Sequence, residues 1–110
     1  MQLAEKAQFD EAYYAQTIVQ IARRLQRAGR EDEALAVLDN AARHVSGDPA
    51  GLVLIEAAKI WQSRGDWRQA LSLFQRALTT TVDPAMRAWV RDTLEDLDRQ
   101  KSNIDGLSLR

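Results

Sequence analysis

Gly29-Arg30-Glu31-Asp32-Glu33-Ala34-Leu35-Ala36-Val37-Leu38 lies over Gly65-Asp66-Trp67-Arg68-Gln69-Ala70-Leu71-Ser72-Leu73-Phe74 when the two glycines are aligned. In both segments glycine is followed five residues later by alanine, then leucine, with a large apolar residue four beyond that alanine. Upstream, Ile18, Ile21, Ala22 and Leu25 fall on Leu54, Ala57, Ala58 and Trp61; downstream, Ala41 falls on Ala77. Self-similarity at a fixed separation is the signature of a repeat, each unit burying its apolar face against the next.

Outward from this overlay, punctuation cuts the chain into helices. Gly29 and Gly65 follow apolar-periodic runs, where a left-handed residue ends a helix. Acids come next (Glu31, Asp32 and Glu33 after the first, Asp66 after the second), at the positive end of a following helix. Both prolines follow aspartate, in Asp48-Pro49 and Asp83-Pro84. Each pair reads as an N-cap with proline preorganised at the first helical position. The expected helices span about 9–28, 31–45, 49–64, 67–80 and 84–100, each with 3.6-residue apolar periodicity. Nothing reads as a strand. Loops this short make neighbouring helices antiparallel. The expected fold is therefore all-α, built of antiparallel helix hairpins stacked as an α-solenoid of about five helices.

The spacing resembles the tetratricopeptide repeat (TPR). Leu54, Ala57, Ala58 and Trp61 fill the first half of that family's pattern, and Ala70, Phe74 and, loosely, Pro84 fill the second. Small residues at Ala22, Ala34, Ala41, Ala58, Ala70 and Ala77 let the paired helices approach closely. The resemblance covers roughly residues 15–100, with repeat one at about 15–48, repeat two at about 51–82 and a capping helix at about 84–100. All of 1–101 forms one domain, and 102–110, polar and containing Gly106, is expected to be a loose tail. The glycine-to-glycine period of 36 is longer than the family's 34, and both prolines come late. In the last helix Trp89 is matched to the family's leading aromatic. That places Asp92 and Thr93 where leucine and a small residue belong, as in a terminal cap.

Composition narrows the function classes. A formal net charge of −1 argues against a general phosphate-backbone partner. The absence of cysteine removes disulfides, thiolate metal sites and cysteine nucleophiles. No stretch approaches the roughly 18 apolar residues of a membrane span, and the N-terminus is too polar for a signal peptide. A soluble, cytoplasmic protein is expected. No catalytic constellation is evident and no cofactor is implied. His44, the single histidine, reads as a cation at the negative end of a helix. Asp92, Glu95, Asp96 and Asp98 read as a solvated face, because they lie on a helix without the glycine-bearing loop that calcium requires. Trp61, Trp67 and Trp89 read as core, with Trp67 the most exposed of them. One of Tyr13 and Tyr14 is expected against the second helix.

In the family the first helix of each hairpin lines a concave groove that holds a peptide or a partner helix. Carried over, the groove comprises Val19, Arg23 and Arg27, then Leu52, Ile55 and Lys59, then Arg87, Val90 and Arg91, with flanking Gln16, Gln26, Gln62, Ser63, Leu94 and Leu97. The apolar stripe Val19, Ile55, Val90 would be bordered by cations that clamp carboxylates. The resemblance thus implies a non-catalytic interaction module for an acidic peptide, held with micromolar-class affinity, roughly −8 kcal/mol. A lysine–asparagine pair marks the members that grip chaperone tails, and Val19 and Arg23 stand in its place here, which disfavours that class. A structural self-assembly module is the alternative, with Leu3, Phe9 and Tyr13 at one end and Val90, Leu97, Leu107 and Leu109 at the other. That alternative makes the chain a homo-oligomer, and nucleic acid remains disfavoured in either case.

Overall fold

In a computed structural model the chain is described for the backbone of residues 10–108 and for the side chains of residues 10–100. Five helices follow one another: α1 (Glu11–Arg27), α2 (Glu31–Ala42), α3 (Gly47–Ser63), α4 (Trp67–Thr80) and α5 (Pro84–Ser108). No strand occurs among the described residues, so the protein is all-α. Turns of three or four residues return the chain each time. Each helix packs on the next, and α1 also packs on α3.

The hairpin turns form as their glycines dictate. Gly29 and Gly65 have φ of +78° and +80°, the left-handed region that side chains disfavour. In each, the amide after the glycine reaches back five residues, Arg30 N to Leu25 O at 2.8 Å and Asp66 N to Trp61 O at 3.0 Å. The glycine amides themselves bond Gln26 O and Gln62 O, both at 3.0 Å. This is the Schellman closure, which satisfies carbonyls that a helix end leaves free. After the second turn Asp66 caps α4 by accepting from Gln69 N, as Asp10 caps α1 by accepting from Tyr13 N, whereas α2 begins after Arg30 without a side-chain cap.

The two aspartate–proline pairs behave differently. Asp83 caps as expected, Oδ2 accepting from Met86 N at 2.9 Å with Pro84 first in α5. At the other pair the helix starts two residues early, at Gly47, whose φ is +60°. Asp48 is freed to accept from Val82 N at 2.7 Å and Asp83 N at 3.1 Å, tying the start of α3 to the α4–α5 turn. Glu11 does the same one repeat earlier, accepting from Ser46 N at 2.7 Å.

Every small residue placed by the overlay is buried. Ala22, Ala34, Leu38 and Ala41 share one core cluster, and Ala58, Ala70, Phe74 and Ala77 the other. Gly51 makes a further close approach. A Cβ built there would stand 2.1 Å from Thr81 Cγ2, so only glycine admits the chain end of α4 beside α3.

The last helix corrects three expectations. Its backbone continues to Ser108, so 102–108 is helical rather than a loose tail; a lone glycine such as Gly106 lowers helix propensity by about 1 kcal/mol without supplying a stop. Val90, placed in the groove, is 0% exposed, and Leu97 is buried with it against Phe74 and Ala77. Trp89, placed in the core, is instead 44% exposed. The cause is register. The period of 36 continues into α5, setting Val90 on Leu54 and Leu97 on Trp61, whereas matching Trp89 to Leu54 slips the alignment by one residue. One residue is about 100° of helix, enough to exchange the buried and open faces.

Candidate functional site

A groove runs beside α3, between α1 and α5. It is lined by Arg23 from α1, by Leu52, Ile55, Glu56 and Lys59 from α3, and by Ala85, Met86 and Trp89 from α5. Its α3 residues fall at 52, 55, 56 and 59, the spacing that puts side chains on one helical face. The helix α5 packs on α4 and meets α3 only through side chains, which leaves the space open.

Trp89 forms the apolar wall. Its ring lies 6.0 Å from that of Phe74, tilted by 59°, so one face is anchored in the core while the rest looks into the groove. Lys59 Nζ stands 5.4 Å from the Trp89 ring centroid, within cation–π range. The other wall and floor are Leu52, half-buried, and Ile55, buried at its edge.

Glu56 sits between the cations. It is only 7% exposed, and a carboxylate that buried needs partners. Arg23 supplies two parallel bonds, Nε to Oε1 at 3.2 Å and Nη2 to Oε2 at 3.0 Å. Lys59 Nζ adds a charge contact at 3.6 Å. The hydrogen bonding to Glu56, reinforced by its charge, holds the Arg23 guanidinium above its ordinary pKa.

Of the nine residues read from sequence, four line this groove: Arg23, Leu52, Ile55 and Lys59. Val19 and Val90 belong to the core, by the periodicity that buries Ala15, Val19 and Ala22 on α1 and by the register of α5. Arg87 is committed elsewhere. Its Nη1 donates to Leu78 O at 2.6 Å and Thr81 O at 3.0 Å, closing the carboxyl end of α4. Arg27 and Arg91 are exposed on α1 and α5 outside the groove lining.

Glu56, Ala85, Met86 and Trp89 were missed. Continuing the period of 36 into α5 would have turned Trp89 outward; no local signal announces the Arg23–Glu56 pair, whose members lie 33 residues apart.

His44 Nδ1 donates to Asn40 O at 2.8 Å near the end of α2, in the neutral or charged ring alike. Asp92, Glu95, Asp96 and Asp98 are all exposed, and Asp96 pairs with Arg99 at 3.5 Å. Among the described residues no group of three His, Asp or Glu could hold a metal, and no helix is long and apolar enough to cross a membrane. Tyr14 packs against the first core cluster while Tyr13 is 70% exposed. Of the end residues named for self-assembly, Val90 and Leu97 are inside the core. Leu3, Phe9 and Leu109 lie outside the described residues, as does the side chain of Leu107. No family model, curated protein or solved structure matches the chain.

Proposed function

We propose that the chain is a short TPR-type array that acts as a non-catalytic protein-interaction module, holding a peptide or partner helix in the groove beside α3. The half-exposed Trp89 carries this reading. A large aromatic left open, fixed on one side by Phe74 and bordered by a cation, is the kind of rigid anchor that dominates binding surfaces. Leu52, Ile55 and Met86 extend the apolar surface beside it.

The carboxylate preference narrows. Glu56 occupies Arg23, and carbonyls occupy Arg87, so neither is free to clamp an acidic ligand. Lys59, held to Glu56 by the longer contact alone, is the cation available at the rim. The ligand is thus an apolar side chain seated on Trp89, followed by a carboxylate near Lys59.

Selection of a displayed peptide library on the chain, with calorimetry of the recovered peptides, tests this. Trp89→Ala should weaken a selected peptide by at least about tenfold, as loss of a hot-spot aromatic does, and Lys59→Glu by a smaller factor. Peptides that bind both variants as tightly as the parent would sink the reading. Self-assembly keeps one supporting observation, the exposure of Tyr13 and Ile21 on α1. Light scattering that shows a strict monomer at high concentration would remove it.

A further inference from the structure

We propose that the cleft between α2 and α4 is a second binding site, for a small molecule with an apolar body and a carboxylate head. Both helices pack on α3 but do not approach each other closely, leaving a cavity of about 240 Å³. Its floor includes Val53 and Ala57, on the face of α3 opposite the Lys59 groove, and its walls include Leu35 and Leu73. Such a concave, mostly apolar site with few polar groups is the common form of a small-ligand pocket.

One wall is held in place from outside. Trp61 lines the cavity, and the Arg64 guanidinium lies 4.9 Å from its ring centroid. Arg64 is itself fixed to the start of α2, by Asp32 at 3.0 Å and Glu31 at 3.8 Å. The indole is therefore braced against swinging inward to fill the space.

Charge at the mouth selects the head group. Asp39, Gln69 and Arg76 stand there. Asp39 is paired with Arg43 at 2.9 Å, while Arg76 makes no ion pair among the described residues. An exposed guanidinium above an apolar cavity complements a carboxylate, which it can meet with two bonds. Size follows by proportion: a cavity of about 150 Å³ takes benzene, so this one takes on the order of ten heavy atoms, the size of octanoate.

The test is a titration of sodium octanoate into the ¹⁵N-labelled chain, with octylammonium as the charge-reversed control. Saturable shifts are expected at the Trp61 indole and at the amides of Leu35 and Leu73, with Kd on the order of 1 mM for so small a ligand. Arg76→Glu, an exposed change, should weaken octanoate about tenfold, and Trp89→Ala should leave it unchanged. Octylammonium binding as well as octanoate would overturn the proposal. So would an Arg76→Glu variant of undiminished affinity, or the absence of saturable shifts at Trp61.

Discussion

Replacing Gly51 by alanine sets two effects of opposite sign against each other. In an unobstructed helix interior the change stabilises by about 1 kcal/mol, because glycine loses more backbone freedom on folding. Here the new methyl would stand 2.1 Å from Thr81 Cγ2, well inside ordinary contact, and 3.4 Å from Met86 Sδ. Thr81 cannot easily give way. It is 1% exposed, its amide bonds Ala77 O at 2.9 Å, and its carbonyl accepts from Arg87 at 3.0 Å. Forcing a methyl into a filled core costs about 1–3 kcal/mol. The overpacking wins, and the expected net loss is about 1 kcal/mol, a fall in Tm of about 4–8 °C for a domain of this size. Urea and thermal unfolding followed by circular dichroism measure it. Thr81→Ala in the same chain should recover most of the loss, giving a coupling energy of about 1 kcal/mol between the two positions. A Gly51→Ala variant more stable than its parent would refute the close approach of α3 and the α4–α5 turn.

Thr81→Val removes a buried hydroxyl that has no hydrogen-bond partner among the described residues while keeping the side chain's shape, so denaturant unfolding should show a gain of about 1 kcal/mol. Arg23→Ala leaves Glu56 buried with only the 3.6 Å contact to Lys59, and should cost about 1–2 kcal/mol in the same assay. Glu56→Gln in that background should return part of it, since a neutral amide needs no counter-charge. Asp48→Ala strips Val82 N and Asp83 N of their acceptor; faster amide hydrogen exchange at those two positions is expected, with about 1 kcal/mol lost.

The hairpins were legible in the sequence because their signals are local and physical. Gly29 and Gly65 mark left-handed closures that few other residues tolerate, and each is followed at fixed distance by the alanines of a helix crossing. Short-range rules read such features directly. The groove was legible only in part, since it depends on which way α5 is rotated. Matching Trp89 to the family's leading aromatic ignored the continuing period, and the one-residue slip exchanged Val90 for Trp89. The Glu56 pair and the commitments of Asp48 and Arg87 are long-range polar contacts. Side chains with several donors or acceptors can meet either local or distant partners, and packing chooses between them. Asp48 left its own helix end for the α4–α5 turn because Gly51 lets that turn come close.

A peptide or partner helix is expected to meet the chain on the Trp89 side of α3, apart from the small-molecule cleft between α2 and α4. Chemical-shift mapping of a library-selected peptide on the ¹⁵N-labelled chain tests it most directly. The largest shifts are expected on the Trp89 indole and on the amides of Leu52, Ile55, Lys59 and Met86, with α2 nearly silent. Saturable shifts centred elsewhere, with the Trp89 indole unmoved, would contradict it.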